Sequence, residues 1–333
     1  MSNETKTLID CHVHLAALPE GRNGCYISTH MLNSPLFRFL LWKHGLSPKN
    51  PRQANEKYVN DLLKELRAST HVRQAVLLGM DGVYDRSGQL ARDDTHFLIS
   101  NEYVLETAQA HPDDFLPGVS INPQRRDAVD EVHRCADAGA VLVKVLPNVQ
   151  QFNPAEAHYK PFYRALAERR LPFLSHVGYE FSLIGKDQSV GNPDHLKLAL
   201  DEGVTVIAAH ACSYGLMLYE RFLPVLLDFS KRYSNFYADI SALTLPNRFR
   251  MLLHLRRHPE IHERLLFGTD YPLSVTHVAA WGRVAFHTLR GMIRIKNRFD
   301  RQYAVCKSLG VGFKSFASLV SKSPRATEGQ TGR

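Results

Sequence analysis

The sequence predicts a single α/β domain folded as a (β/α)8 TIM barrel. Three observations lead to this prediction: eight short apolar segments, helical patterns between most of them, and a length of 333 residues, which is usual for one such barrel with insertions. Strands that alternate with helices form a parallel sheet. Eight strands in one chain favour closure into a barrel, with an open sheet as the alternative.

The predicted strands are runs of mostly apolar residues. In chain order they occupy residues 8–14, 74–80, 115–121, 141–146, 172–177, 204–210, 235–240 and 265–270. Helical patterns lie between most of them, for example over residues 55–69, 101–110, 126–138 and 161–170. This order of elements is the one that a barrel requires.

Two segments depart from the alternation. Residues 15–54 separate the first strand from its helix and contain several glycines and prolines, so we expect a long loop at the catalytic face of the barrel. Residues 278–310 carry helical patterns and predict a C-terminal helical extension. We therefore expect one domain over residues 1–310 and a basic, partly disordered tail over residues 311–333, which is polar from residue 321 onward.

The composition is that of a globular protein with an excess of basic residues. The formal charge is +8 and the isoelectric point is about 9.2. A solvated helical face and a basic tail account for this excess, so no nucleic-acid partner is expected. The basic residues are denser in the last third of the chain, at Arg283, Arg290, Arg294, Lys296, Arg298, Arg301 and Lys307.

The cysteines and the apolar runs favour a soluble cytoplasmic protein. The five cysteines are an odd number and have no metal-finger or redox spacing, which favours reduced thiols. The N-terminal segment lacks an apolar signal-peptide core. The apolar run over residues 35–42 is too short to span a bilayer, so we expect no membrane partner.

The first strand carries a pair of histidines. It has the sequence LIDCHVH, and alternation along a strand gives Asp10, His12 and His14 one common face. If this face is the barrel interior, both imidazoles lie at the C-terminal mouth, where barrel enzymes place their chemistry. Imidazole is a common zinc ligand, and Asp10 would then fix the tautomer of one ring. Two strand histidines without a metal are the simpler alternative.

Later strands end on further residues of the ligand type. The fifth and sixth predicted strands end near His176 and His210, and the eighth ends at Asp270. A single buried histidine usually has a structural hydrogen bond instead. Chance, however, is a poor explanation for four histidines and an aspartate at the ends of four strands, and together they predict a metal-dependent enzyme.

Two charged residues within the strands have several interpretations. Lys144 lies in the apolar fourth strand, where an unpaired lysine is costly to bury. It either snorkels to the rim, binds an anion, or is carboxylated and bridges two metals. For Asp239 in the seventh strand, a structural hydrogen-bonding role is the better interpretation.

These motifs resemble those of the amidohydrolase superfamily, in particular the branch that includes aminocarboxymuconate-semialdehyde decarboxylase and related metal-dependent hydrolases. The matching segments are DCHVH at 10–14, VKVLP at 143–147, HVG at 176–178, HA at 210–211 and FGTDYP at 267–272. They occur in the order of the family. Each is short, but the combination is specific.

The resemblance implies a distorted barrel of the metallo-dependent hydrolase type. It implies one divalent metal, expected to be Zn²⁺, that is held by ligands from three strands. It also implies that His210 acts as an acid or base and that Asp270 accepts a proton from the metal-bound water. A second metal, with His210 as a ligand and Lys144 carboxylated, is the less favoured alternative. The implied ligands are His12, His14, His176 and Asp270.

The expected reaction is hydrolysis of a C–N or C–O bond in a small molecule, such as an amide or a lactone, by a metal-bound hydroxide. The alternative is a metal-dependent non-oxidative decarboxylase of a carboxylated small molecule. A TatD-like nuclease is less favoured because strands three and four do not end in the glutamate of that branch. A non-catalytic binding protein is less favoured because all candidate ligands are present.

Substrate-binding residues are predicted at the same rim. They are Lys144, Asn148 in the turn after it, Arg22 in the long first loop and Tyr179 after His176. Arg22 together with Lys144 would suit a carboxylated substrate. The C-terminal helices could also pack on a second subunit, and a homodimer is expected because members of the family are often dimers.

Overall fold

Eight parallel strands form a barrel in the structure, a computed structural model that describes residues 7–181, 183–216 and 219–320. Two further short strands, β2 and β4, pair with each other as an antiparallel ribbon. The strands of the described residues are β1 (Leu8–His14), β2 (Tyr26–Ile27), β3 (Val72–Leu78), β4 (Phe97–Leu98), β5 (Phe115–Ser120), β6 (Leu142–Val145), β7 (Phe173–Ser175), β8 (Val206–Ala208), β9 (Phe236–Asp239) and β10 (Leu265–Leu266).

The barrel strands follow one another around the sheet in chain order, from β1 and β3 through β5 to β10. The two end strands meet and bring the barrel close to closure. The Cys11 N–H donates to the Phe267 carbonyl at 3.0 Å, and the His14 N–H donates to the Tyr271 carbonyl at 2.9 Å. All eight predicted strands are present in this sheet, and the predicted TIM barrel is confirmed.

Helices connect the strands and cover the barrel. Four of them, α3, α4, α5 and α7, correspond to the four helices that we predicted. No helix in the described part of the chain is long and apolar enough to cross a membrane. The α-helices there are α1 (Thr29–Asn33), α2 (Pro35–Lys43), α3 (Pro51–Ala68), α4 (Asn101–Ala110), α5 (Ala128–Asp137), α6 (Pro147–Gln150), α7 (Lys160–Glu168), α8 (Lys197–Asp201), α9 (Leu223–Arg232), α10 (Phe249–Leu255), α11 (Phe286–Arg294), α12 (Arg298–Ser308) and α13 (Ala317–Val320).

The segment after β1 is more ordered than the loop that we expected. It contains β2, α1 and α2, and α2 begins with Pro35 at its first position, where proline costs no helical hydrogen bond. A separate apolar cluster holds this segment together, and Leu41 of α2 belongs to it. The cluster is completed by Leu18, Ile27, Met31 and Ala54.

Strand β1 does not keep the simple alternation that we assumed. Its pairing with β3 shifts register between Asp10 and Val13. Cys11 therefore packs in the apolar cluster inside the barrel, while His12 still reaches the rim. An irregularity of this kind breaks the two-residue periodicity of a strand, so Asp10 and His12 do not share a face.

The fold extends beyond the boundary that we predicted at residue 310. The Lys314 N–H donates to the Leu265 carbonyl at 2.8 Å, next to a bridge between Lys314 and Leu266. Phe316 is fully buried in the cluster inside the barrel. Residues 311–320 thus pack on the barrel rather than forming a tail, because Phe316 buries an aromatic ring there. The rest of the expected tail, residues 321–333, lies outside the described residues.

Candidate active site

Five predicted residues come together at the C-terminal ends of the barrel strands. His12 and His14 lie at the end of β1, His176 follows β7, His210 follows β8 and Asp270 follows β10. All of them line one pocket. In parallel barrels this edge is where side chains from several strands converge, so the location agrees with the prediction.

The first part of the cluster is formed by three side chains. His12 Nε2 lies 3.3 Å from His14 Nε2. Asp270 Oδ1 lies 3.5 Å from His12 Nε2 and 3.2 Å from His14 Nε2. Two imidazole nitrogens and a carboxylate oxygen thus face one common point.

The second part of the cluster is formed by His176 and His210. His210 Nε2 lies 3.3 Å from His176 Nδ1. Ligand atoms of His12, His210 and Asp270 all lie within 4.8 Å of one another, which joins the two parts. His176 Nε2 is buried and has no hydrogen-bond partner among the described residues. Of the predicted ligands, the structure therefore groups His12, His14 and Asp270 closely, with His176 adjoining through His210.

Asp239, rather than Asp10, orients the first histidine. Asp239 Oδ2 accepts from His12 Nδ1 at 2.8 Å, which leaves the lone pair of Nε2 directed to the cluster. Its other oxygen accepts from the His210 backbone N–H at 3.0 Å. Asp10 instead accepts from Thr269 Oγ1 at 2.6 Å and from the His12 backbone. Our prediction for Asp10 was wrong, because the irregularity in β1 turns its side chain toward Thr269.

The backbone takes unusual conformations at His210 and Asp270. Their φ angles are 55° and 65°, in the left-handed region that L-residues seldom occupy, and Ala211 and Cys212 share it. Such conformations are kept only where the surroundings hold them, and they concentrate at functional sites. The predicted sixth and eighth strands end early, at Ala208 and Leu266, and the left-handed conformations that follow direct the His210 and Asp270 side chains into the pocket.

Burial determines the charge state of the cluster. It lowers the pKa of His176 and of His210 well below the usual value, so both rings are neutral at pH 7. Burial raises the pKa of Asp270, but His12 and His14 lower it more, and the carboxyl is ionised. Neutral imidazoles and ionised carboxylates are the forms that bind metal ions.

Lys144 lies in the same pocket and is fully buried. Its Nζ has no hydrogen-bond partner among the described residues. Burial is the largest effect on its pKa and lowers it to about 8, although Asp239 and Asp270 act in the opposite direction. The ammonium is thus mostly charged at pH 7 and has no hydrogen-bond acceptor. Of the interpretations that we considered for Lys144, snorkelling to solvent does not apply.

The pocket has a volume of about 200 Å³. Its polar end holds the histidine cluster, Lys144 and Glu180. Tyr58 and Asn55 also line it, but their polar atoms bond to the backbone of His14 and of Leu18. The remaining wall is mostly apolar and includes Leu15, Ala16, Ala17, Leu18, Ile27, Met31, Phe37, Leu40, Leu41, Met80, Phe97, Leu146 and Leu183.

Three predicted substrate-binding residues do not line this pocket. Arg22 is exposed in the segment after β1. Asn148 is buried and donates to Gln188 Oε1 at 2.8 Å, so it holds the loop after β7. The Tyr179 ring packs at a tilt against the Phe181 ring, and the Tyr179 carbonyl accepts a hydrogen bond from Arg248. Loop residues near a motif are often structural, and sequence proximity to His176 did not distinguish Tyr179 from Glu180.

Arg248 is a residue that our sequence analysis missed. It is buried, and its guanidinium donates to the Ser213 and Tyr179 carbonyls, both at 3.0 Å. It thereby ties together the loops that follow β7 and β8, which carry His176 and His210. No motif in the sequence separates this arginine from the exposed ones around it.

The donor set fits a divalent metal ion. The closely spaced atoms are ring nitrogens of His12 and His14 and a carboxylate oxygen of Asp270. Asp239 holds the His12 ring in one tautomer. These atoms match the ligands that zinc prefers. His176 Nε2 is a further ligand atom: it has no hydrogen-bond partner among the described residues and lies 3.5 Å from Glu180 Oε2. His12 Nε2, His14 Nε2 and Asp270 Oδ1 lie 3.2–3.5 Å from one another, close enough for one cation to contact all three.

Comparison with known proteins identifies a matching family and solved structures of similar fold. Residues 9–288 match the family model described as amidohydrolase. No curated protein matches the sequence.

Solved structures of similar fold include an uncharacterised TIM-barrel protein from Bordetella bronchiseptica, which is 19% identical and has a TM-score of 0.56 over 91% of this chain and 99% of its own. The 5-carboxyvanillate decarboxylase of Sphingomonas paucimobilis is 14% identical, with a TM-score of 0.55 over 95% of this chain and 99% of its own. A 2,6-dihydroxybenzoate decarboxylase in complex with 2,6-dihydroxybenzoate is 17% identical, with a TM-score of 0.52 over 95% and 100%.

Proposed function

Because the chain belongs to the amidohydrolase family, as its motifs predicted, we propose that it is a metal-dependent decarboxylase of a small, largely apolar carboxylic acid. The observation that carries this proposal is the buried Lys144 ammonium, which has no hydrogen-bond acceptor in the described part of the chain and lies in a mostly apolar pocket beside the histidine cluster. From the sequence alone we had placed hydrolysis first. The pocket favours decarboxylation for the reasons that follow.

The buried lysine indicates an anionic substrate. A buried ammonium without a hydrogen-bond acceptor is costly. Asp239, Asp270 and Glu180 attract the Lys144 charge without accepting from it, and a carboxylate that enters the pocket would supply the missing acceptor. The mostly apolar wall then suits the remainder of the molecule. Acids such as 2,6-dihydroxybenzoate or 5-carboxyvanillate, named for two proteins of similar fold, belong to this chemical class.

The apolar wall also favours loss of carbon dioxide over hydrolysis. When a carboxylate leaves as carbon dioxide, its localised charge spreads into the rest of the substrate. The remainder of the substrate would lie against the apolar wall, which tolerates a spread charge better than a localised one. Hydrolysis of an amide or lactone would instead place a localised charge on an oxyanion. Asn55 and Tyr58 are not free to donate to it, because their polar atoms bond to the backbone.

His12, His14, His176 and Asp270 would hold a single divalent ion, for which we expect zinc. When bound, the ion supplies a Lewis acid that polarises a substrate oxygen. Lys144 binds the substrate carboxylate. The C–C bond to this carboxylate breaks, carbon dioxide leaves, and the carbon takes up a proton. His210 would take up this proton from water at Nε2 and deliver it to the carbon, because its Nδ1 is bonded to Ser241 and its buried ring is neutral before the reaction.

Product analysis tests the reaction. The full chain, loaded with zinc, is incubated with hydroxylated benzoates and with amides and lactones of similar size. We expect carbon dioxide and the decarboxylated product in equal amounts, and no turnover by metal-loaded His210→Ala. Cleavage of an amide or lactone without release of carbon dioxide would reject the proposal in favour of hydrolysis.

Metal content distinguishes one metal from two. His12→Ala should lose both metal and activity, because it removes a ligand. His210→Ala should keep the metal of a one-metal site and lose most turnover. If His210→Ala instead binds half as much metal as the parent protein, the two-metal alternative with carboxylated Lys144 is correct.

A further inference from the structure

The chain has three long segments without an acidic residue; the two longest are residues 21–55 and 271–299, and the third is residues 301–327. The whole chain has 33 aspartates and glutamates. Each of the two longest segments carries five lysines and arginines, ten in all, which exceeds the formal charge of +8 for the entire chain. These ten are Arg22, Arg38, Lys43, Lys49, Arg52, Arg283, Arg290, Arg294, Lys296 and Arg298.

The two longest acid-free segments meet beside the pocket. Phe37 and Leu40 of α2 line the pocket from the first segment, and Pro272 and Leu273 line it from the second. Lys43, at the end of α2, donates through Nζ to Ser274 Oγ at 3.1 Å. The end of α2 and the start of the second segment therefore contact each other at the C-terminal end of the barrel.

The same segments carry most of the large apolar side chains that are exposed. Six of the nine such side chains in the described residues belong to them. Both tryptophans of the chain are among the six, with Trp42 75% and Trp281 59% exposed. Of the ten basic residues, Arg52 and Arg298 pair with Glu56 and Glu65. We call the six apolar side chains together with the other eight basic residues the basic aromatic face, and its apolar members are Phe39, Trp42, Val278, Trp281, Phe286 and Ile293.

Helix α11 shows the mixture of apolar and basic side chains most clearly. Phe286 is 77% exposed and Ile293 is 49% exposed, and both share the helix with exposed Arg290 and Arg294. Only Met292 of this helix is buried. Exposed aromatic and aliphatic side chains between basic ones are typical of helices that lie on a membrane surface.

We propose that the basic aromatic face docks the protein on an anionic lipid surface. The basic residues match the charge of acidic headgroups, and the aromatic side chains enter the interfacial layer, where tryptophan is favoured. A second copy of this chain would bring two positive faces together, which like-charge repulsion opposes. A nucleic acid would match the charge but offers no apolar layer for Phe286 and Ile293. Docking of this kind needs no membrane-spanning helix and does not depend on the proposed reaction.

Tryptophan fluorescence reports the environment of this face, because both tryptophans of the chain lie on it. The full chain is titrated with phosphatidylcholine vesicles that contain about 30% phosphatidylserine. We expect the emission to shift to shorter wavelength and brominated lipid to quench it. Vesicles of phosphatidylcholine alone should give much weaker binding, and raising the salt from ~0.1 M to ~0.5 M should reverse most of the binding.

Two sets of variants separate charge from apolar contact. The triple variant Arg290→Gln, Arg294→Gln and Lys296→Gln should lower vesicle partitioning by about fivefold for each basic residue removed. The matched control removes three exposed basic residues elsewhere, Lys231→Gln, Arg256→Gln and Arg257→Gln, and should retain most of the partitioning.

The apolar contribution is tested by sedimentation with the double variant Phe286→Ala and Ile293→Ala, which keeps both tryptophans. Docking predicts weaker partitioning with an unchanged folded state by circular dichroism. Unaltered emission on addition of anionic vesicles would overturn the proposal. So would equal losses in the two triple variants, or tighter binding to duplex or single-stranded DNA than to vesicles at the same salt.

Discussion

Two residues at and just after the end of β9, Asp239 and Ser241, orient the His12 ring. Asp239 accepts from its Nδ1 at 2.8 Å and Ser241 Oγ lies 3.0 Å from the same atom. Burial opposes the ionised form of Asp239, but the contacts with His12 outweigh it and lower the pKa of the carboxyl. A charged acceptor behind a ligand fixes its tautomer and makes the ring a stronger ligand.

Asp239→Asn should therefore weaken metal binding by about 10- to 100-fold while the barrel stays folded. The affinity is measured by competition with a chromophoric chelator, and the fold by circular dichroism. The control Asp228→Asn changes an aspartate that is paired with Arg232 on the surface. An unchanged metal affinity in Asp239→Asn would show that its hydrogen bond to His12 has no effect on the site.

We expect the buried charge of Lys144 to lower the free energy of unfolding. Its pKa falls from the usual 10.5 to about 8, mainly through burial. Below pH 8 the lysine is charged in the folded and the unfolded state, and the folded state carries the full cost, about 3 kcal/mol. Between pH 8 and 10.5 the folded state releases the proton first, so the cost disappears as the pH rises.

Lys144→Met should consequently stabilise the metal-free protein at pH 7 by up to about 3 kcal/mol, and by much less at about pH 9.5. Urea denaturation at the two pH values measures the difference. The same variant should bind carboxylate substrates poorly, whereas the parent protein should lose affinity for them above about pH 8. A stability difference that does not change with pH would mean that the lysine is not charged in the folded state.

At the scale of elements, the loops after β7 and β8 are held by one side chain from the start of α10. Arg248 donates to a carbonyl in each loop. A buried carbonyl that loses its donor costs free energy because water does not replace it. These loops carry His176 and His210, so the arginine acts on the site through position rather than contact.

Arg248→Met should lower the free energy of unfolding by about 2–4 kcal/mol, because two buried carbonyls lose their charged donor. It should also reduce kcat more than it changes KM, because His176 and His210 lose their fixed positions. Arg256→Met, at the other end of the same helix and exposed, is the control. Equal effects of the two substitutions on kcat would contradict the positioning role.

At the scale of the whole molecule, the metal-binding group joins distant parts of the chain. Its members come from residues 12 to 270, at the ends of four strands. An ion that binds only the folded arrangement stabilises the entire barrel by mass action. Metal binding and global stability should therefore be coupled.

Zinc at about a thousand times its Kd should raise the free energy of unfolding by about 4 kcal/mol. Urea denaturation with zinc and with a chelator measures the increase. His12→Ala should show little or none of it. An equal increase in His12→Ala would place the stabilising ion somewhere other than this group.

Much of the site could be predicted from the sequence because polar residues that follow apolar runs mark strand ends. His12, His14, His176, His210 and Asp270 all carry this mark. Arg248 carries no mark, since its role depends on two carbonyls far away in the chain. Asn148 and Tyr179 were predicted from closeness to a motif, yet their side chains turn away from the pocket.

The sequence by itself determined the barrel and the residues that would meet at its rim, because strand–helix periodicity and chain order fix which strand ends share an edge. Only the tertiary structure decided how those residues are used. The irregularity in β1 made Asp239 rather than Asp10 the partner of His12. The packing of the barrel left Lys144 buried in the pocket, without a hydrogen-bond acceptor among the described residues. Both outcomes depend on contacts between residues remote in the chain, which local patterns do not encode.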